Sequence, residues 1–135
     1  MRGLKPHHEI LKYVYLVGSE KSGKIESSSK FLNNAETLIK QYCKKAQIFK
    51  EENKSVNFED LKEVTKAIDK AIQKFKDSGM NEKDMIIDVT GGQKTTSIAG
   101  ALVTLNSQVT FQYVQTNSPY DVVSYNVVIQ SPASL

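Results

Sequence analysis

The chain has 135 residues, 39% of them hydrophobic and 24% charged, with 7 Gly and 3 Pro. That length suits one domain, and the composition excludes collagen, low-complexity sequence and wholesale disorder. Eighteen basic residues against 15 acidic ones leave a net charge of +3, too weak for a protein that coats duplex nucleic acid. Arg2 is the single arginine, so bidentate readout of guanine is almost absent. No apolar run reaches the roughly 20 residues that span a bilayer, and the opening MRGLKPHHEI lacks the apolar stretch of a signal peptide. Cys43 is the one cysteine, which excludes an internal disulfide and points to a reducing, cytoplasmic setting.

In chain order, residues 1–12 read as an N-terminal segment in which His7 and His8 are solvated rather than metal-binding, since no carboxylate or Cys cluster joins them. The run Tyr13-Val14-Tyr15-Leu16-Val17 is nearly continuously apolar, as in a strand covered on both faces. Gly18 ends it and a polar loop follows to residue 27. A helix is expected over 28–44, with Phe31, Ala35, Leu38 and Tyr42 on one stripe and Leu32 and Ile39 beside it. A short strand over 46–49 comes next. Asn57 then caps a helix carrying Phe58, Leu61, Val64, Ile68, Ala71, Ile72 and Phe75, which Gly79 stops. Residues 84–89 form a compact apolar strand. The glycine turn Thr90-Gly91-Gly92-Gln93-Lys94 leads into a third helix over 95–105, apolar nearly all round and so expected to be covered on both sides. Residues 109–115 alternate as a strand does, 116–121 turn, and 122–130 return as an antiparallel last strand before a tail over 131–135.

The order β-α-β-α-β-α-β-β predicts an α/β fold: a Rossmann-like, open, mostly parallel five-stranded sheet with helices on both faces. The expected strand order is 2-1-3-4-5, with the last strand antiparallel, in a single domain over 13–130. In that order the first and third strands flank a topological switch point, where ligands of open α/β sheets bind. The two unusual loops leave those two strands.

The second loop is the stronger site. Adjacent Gly91 and Gly92 permit left-handed backbone and close approach of a ligand. The helix that follows offers unpaired amides and the positive end of its dipole. Lys94 adds charge, and Thr95, Thr96 and Ser97 add hydroxyls. Phosphate is the anion this set suits. The first loop contributes Gly18, Ser19, Glu20, Lys21 and Ser22. Its spacing, G-x-x-x-x-G-K from Gly18 to Lys24, is most of a P-loop, with Asp88 in the place of an acidic magnesium partner. Ile25 stands, however, where Ser or Thr must ligand Mg²⁺, and the helix begins several residues late. No metal site is expected.

The run Ile87-Asp88-Val89-Thr90-Gly91-Gly92-Gln93-Lys94-Thr95-Thr96-Ser97 resembles the signature of the CARF family (CRISPR-associated Rossmann fold): an apolar strand, Asp, a Thr-Gly-Gly turn, then Lys at the start of a helix with small residues. The polar loop with Ser19 to Ser22 after the first strand is also similar to that family's. The resemblance implies a homodimeric sensor of type III CRISPR antiviral signalling that binds a cyclic oligoadenylate second messenger across its two-fold axis. Cyclic tetra-adenylate is the favoured ring. The pocket would be lined by Gly18, Ser19, Glu20, Lys21, Ser22, Thr90, Gly91, Gly92, Gln93, Lys94, Thr95 and Thr96. It also implies an effector, such as a nuclease or a membrane segment, on chain beyond these residues, which would make this the cytoplasmic domain of an anchored protein in the second case. No cofactor, duplex nucleic acid or direct membrane contact is expected. The alternative within the family is a metal-independent ring nuclease using Lys94 with Ser19 or Ser22. Neither loop holds a histidine to act as general base, so binding is the expected activity.

Overall fold

A computed structural model describes residues 2–21, 26–53, 56–91, 93–105 and 107–126. Five strands and three helices alternate in it: β1 (Tyr13–Leu16), α1 (Leu32–Tyr42), β2 (Gln47–Lys50), α2 (Leu61–Asp77), β3 (Ile86–Asp88), α3 (Lys94–Thr104), β4 (Thr110–Val114) and β5 (Val122–Tyr125). The element order is the one expected from the hydrophobic periodicities. The last strand is described only to Tyr125, so its expected continuation over 127–130 lies outside the described residues.

The strands form a mixed α/β arrangement in two pieces. β1 pairs with β2 in parallel, Tyr13 beside Gln47 and Leu16 beside Lys50. β3 pairs with β4 in parallel, Ile86 beside Thr110, and β5 returns antiparallel to β4, Val122 beside Val114. The order is thus 2-1 and 3-4-5, without a β1–β3 ladder among the described residues. This is short of the single five-stranded sheet expected from the sequence.

Two elements nevertheless span both pieces. α2 is the first. Its Val64 and Ile68 pack with Ala99 of α3 and Ile87 of β3, while Phe75 meets the rings of Tyr13 and Tyr15 on β1, 6.1 and 6.4 Å between centroids. The second is a 3-10 turn, Arg2–His7. Leu4 packs against the Ile39–Cys43–Ala46 core under α1, and Gly3 and His7 bond Gln112 of β4. β1 is covered on both sides as its apolar run requires: Val14 and Leu16 face the α1 core, Tyr13 and Tyr15 face Phe75.

Local chemistry sets the helix ends. Asp60, not Asn57, is the N-cap of α2, its carboxylate accepting from the amides of Lys62 and Glu63. Asn57 instead holds the turn before it, accepting from the Glu59 amide at 2.9 Å. Gly79, at φ 87°, closes the far end as expected. The faces of the other helices differ from the sequence reading. On α1, Ile39 is buried while Leu38, Tyr42 and, just before the helix, Phe31 are exposed. Ile39 and Cys43 are the side that meets the sheet, packed with Val14 and Leu16 of β1 and Ile48 of β2. On α3, Ala99, Gly100 and Thr104 are buried, but Ile98 and Leu102 are 54% and 51% exposed, so among the described residues one side of that helix is uncovered. None of the described helices is long and apolar enough to cross a membrane.

Candidate functional site

The 90–94 turn leaves the C-terminal end of β3 and is fastened to the sheet at three points. The Val89 amide donates to the Gln112 carbonyl at 2.9 Å. The Thr90 hydroxyl accepts from the Val114 amide at 2.8 Å. The Asp88 carboxylate takes the Thr90 amide on one oxygen, 2.9 Å, and the Gln112 side-chain amide on the other, 2.8 Å. Thr90 is therefore a structural staple as well as a candidate ligand residue. Gln112 is the positioning residue that sequence reasoning missed at this site, and Asp88, named there as an acidic magnesium partner and as part of the Thr-Gly-Gly signature, acts instead as the clamp of the turn. The Asp-x-Thr spacing of an Asx turn was the available signal for Asp88; Gln112 gave none.

Beyond the staple the turn opens to solvent. α3 begins at Lys94 with Gln93 as its N-cap, and no side chain caps it. Thr96 and Ser97 amides bond back to the Gln93 carbonyl, at 2.9 and 3.3 Å. The first-turn amides of Lys94 and Thr95 have no partner within a helix. Lys94 is exposed and makes no ion pair among the described residues. The Thr96 hydroxyl oxygen is buried and lacks a hydrogen-bond partner.

Gly91 departs from expectation in a useful way. Its φ is not left-handed, since Gly79 is the glycine with positive φ among those described. A Cβ built on Gly91 meets nothing within 4 Å. Neither backbone geometry nor packing demands glycine there. Gly92 lies outside the described residues.

The first loop is closed by serines. Ser19 is 7% exposed, and its hydroxyl is 2.9 Å from that of Ser28. The Ser19 amide donates to the Ser28 hydroxyl at 2.7 Å, and the Ser28 amide donates back at 3.3 Å. The Ser19 carbonyl accepts the hydroxyls of Ser27 and Ser29, at 2.8 and 3.1 Å. Gly18 is glycine for space: a Cβ there would sit 2.6 Å from the Cα of Ser29. The clasp brings the ends of the loop together and leaves Lys21 exposed and Glu20 half-buried. Ser22, together with Gly23, Lys24 and Ile25 of the P-loop-like spacing, lies outside the described residues. Ser19 pairs in a parallel bridge with Val56. Two residues on, Phe58 packs against the cluster of Val64, Ile68 and Ala99, the last of these on α3. The first loop is thus tied by a short path of contacts to the helix that starts at the second.

A second polar cluster lies under α2. Glu51, 3% exposed, accepts from the Tyr15 hydroxyl at 2.7 Å, Lys70 at 2.8 Å and the Asn53 amide at 3.1 Å. Burial works against its charged form, but the Lys70, Tyr15 and Asn53 bonds outweigh burial and hold its pKa below 4.5. Burial first, then the Glu51 carboxylate, raises the Tyr15 pKa. Every polar atom here is satisfied within the fold, so the cluster reads as structural.

Cys43 is buried in the α1 core at 2% exposure. His8 is exposed, as expected; His7 is half-buried and bonded to Gln112 at 3.0 Å rather than solvated. Among the described residues no three His, Cys, Asp or Glu side chains stand close enough to hold a metal ion. Two surface clefts, about 660 and 570 Å³, lie beside Lys76, Glu82 and Gln108 and along Leu61, Lys62 and Asp69 of α2. Neither includes a residue of either loop.

The chain is 34% identical over 108 residues to an uncharacterized protein of Aquifex aeolicus, a match that takes in 80% of this chain and 34% of the other. The chain thus spans about a third of the length of that curated relative. No protein-family model matches it, and no solved structure matches.

Proposed function

We propose that this chain is a sensor domain that binds a cyclic oligoadenylate, cyclic tetra-adenylate in the first instance, across a homodimer in type III CRISPR antiviral signalling. The observation that carries the reading is Gly91. A glycine that the fold does not need stands beside an uncapped helix end, an exposed lysine and a row of hydroxyls. Open space there is what a phosphodiester approaching those amides requires. The ligand residues are those of the two loops: Gly18, Ser19, Glu20, Lys21 and Ser22 with Thr90, Gly91, Gly92, Gln93, Lys94, Thr95 and Thr96.

The same helix supports the homodimer. Ile98 and Leu102 lie exposed one and two turns beyond Lys94. Covering them with a second copy brings two Lys94 side chains and two helix N-termini toward one axis, matching the two-fold symmetry of a four-phosphate ring. A site completed by a partner needs no enclosed pocket in the single chain. The finer fold belongs to this reading too: β1 beside β3, giving a Rossmann-like sheet of order 2-1-3-4-5. Packing of α2 on both strand groups supports it. The domain would regulate an effector, and the two thirds of the Aquifex aeolicus protein beyond the match leave room for one.

Binding without cleavage is the activity proposed, because the Ser19 hydroxyl is engaged by Ser28 and no histidine lies in either loop. Calorimetric titration of the protein with cyclic tetra-adenylate, without metal, tests it. Saturation at one ring per two chains, with weakened binding in Gly91→Ala at unchanged melting temperature, is the expected result. Absence of heat with both the tetra- and hexa-adenylate rings overturns it. Mg²⁺-dependent binding of ATP alone would move the assignment to the P-loop-like first loop. Linear products would convert sensor to ring nuclease.

A further inference from the structure

The strongest feature not absorbed by the proposed function is the seat of Arg2–His7 on the β4 side of the molecule. Gln112, 1% exposed at mid-strand, is its hub. The Gln112 side-chain amide donates to the Gly3 carbonyl at 2.9 Å and to Asp88 at 2.8 Å. Its carbonyl oxygen lies 3.0 Å from His7 Nε2. A Cβ on Gly3 would collide with the Asp88 carboxylate. Arg2 lies 4.4 Å over the Tyr120 ring, and Leu4 packs into the α1 core. The other Asp88 oxygen holds the Thr90 amide.

A continuous set of bonds therefore runs from the Arg2–His7 strap through Gln112 and Asp88 to the first residue of the glycine turn. We propose that the strap regulates this turn: seated, it fixes Asp88 and the Thr90 amide; released, it frees both. The strap is the two-state element. It is a six-residue 3-10 turn whose ties among the described residues are a cation–π contact, the packing of Leu4 and buried Gly3, and the Gln112 bonds, so it can leave without unfolding a strand. Coupling of this kind is reciprocal: whatever orders the 90–94 turn also seats the strap. The inference concerns the turn read above as a ligand site, but its central test uses no ligand.

That test is hydrogen–deuterium exchange on the full chain, comparing peptides over 2–8 and 88–94. Gly3→Ala sets a methyl against Asp88 and unseats the strap. Exchange is expected to quicken about tenfold in both peptides, within the usual range of coupling between sites. Asp88→Ala, at the other end, is expected to quicken exchange in 2–8. Acceleration of 2–8 in Gly3→Ala with 88–94 unchanged overturns the coupling, as does an unchanged 2–8 in Asp88→Ala. Should Gly3→Ala fail to fold by circular dichroism, Arg2→Ala replaces it with the same expected pair of changes. In a last arm, cyclic tetra-adenylate is added to the wild-type chain. Protection of 2–8 alongside 88–94 supports the coupling, and protection of 88–94 alone overturns it. Failure of the ring to bind overturns the ligand reading and leaves the ligand-free result standing.

Discussion

Glu51→Gln is the most informative single test of how the chain is held together. Glu51 accepts three bonds in a site that is 3% exposed. Glutamine keeps the shape and can keep most of the geometry. Its carbonyl oxygen can face Lys70 and the Asn53 amide, while its amide turns toward Tyr15, whose hydroxyl then accepts. What is lost is the charge that strengthens those bonds. Hydrogen bonds to a charged group contribute about 1.5–3 kcal/mol against about 1 for neutral ones, so the substitution costs about 2 kcal/mol. An unfolding entropy of about 2.1 cal/mol/K per residue over this length converts that to a fall of about 7 °C in melting temperature. The difference should also depend on pH. A carboxylate whose folded pKa lies below its ordinary 4.5 contributes stability that is present above that value and is lost as pH falls through the folded pKa. Thermal melts followed by circular dichroism at pH 7 and pH 3 measure both effects. A variant that melts with wild type at pH 7, or a gap that stays the same at pH 3, refutes the argument that an ionised Glu51 joins α2 to β1.

Other consequences can be measured alongside. Gly18→Ala sets a methyl against the backbone of Ser29, which cannot step aside as a side chain could, so it should lower the melting temperature more than Gly91→Ala, which meets open space; the opposite ranking would contradict the serine-clasped loop. Asp60→Ala removes the α2 cap and should cost about 1 kcal/mol in denaturant unfolding, with Asn57→Ala costing less. Thr90→Val deprives the Val114 amide of its acceptor and should destabilise by about 1–2 kcal/mol, whereas Thr90→Ser should be close to wild type. Lys50 and Lys40 hold the Glu36 carboxyl at about 2, so its titration by carboxyl NMR should fall well below 4.5 and rise toward that value in Lys50→Ala.

The element order, the parallel pairings and the final hairpin were legible because the apolar periodicity changes between strand and helix along the chain. What was hidden depended on residues far apart in sequence. The strand over 109–115 alternates Thr110, Gln112 and Val114 with Phe111 and Tyr113. On periodicity alone the glutamine belongs to the solvent face. It is 1% exposed because Arg2–His7 lies over it, and nothing within the strand encodes that cover. The same missing information made His7 look solvated. On α1, Phe31, Leu38 and Tyr42 share a stripe that reads as core, yet Ile39 and Cys43 are what the sheet receives. An apolar stripe says that a surface is fit to be covered, not which part of it this chain covers.

The candidate site divides in the same way. Its open part, Gly91 and Lys94, was legible because glycine and lysine at a strand-to-helix turn carry local chemistry. Its support was not. Asp88, Gln112 and Val114 fasten the turn to β4, and Ser28 fastens the other loop. These are long-range or ordinary-looking partners whose role appears only once the strands are in register. The division has a physical reason. Groups that meet a ligand must remain unpaired within the chain, and on the proposed function the uncapped start of α3 and the exposed Lys94 are those groups. Groups that position them must be paired, and Thr90 is such a group, its hydroxyl oxygen accepting from the Val114 amide. A turn fixed on one side and bare on the other is what a binding loop requires: rigid enough that little order is lost when a ligand arrives, and empty enough to receive it.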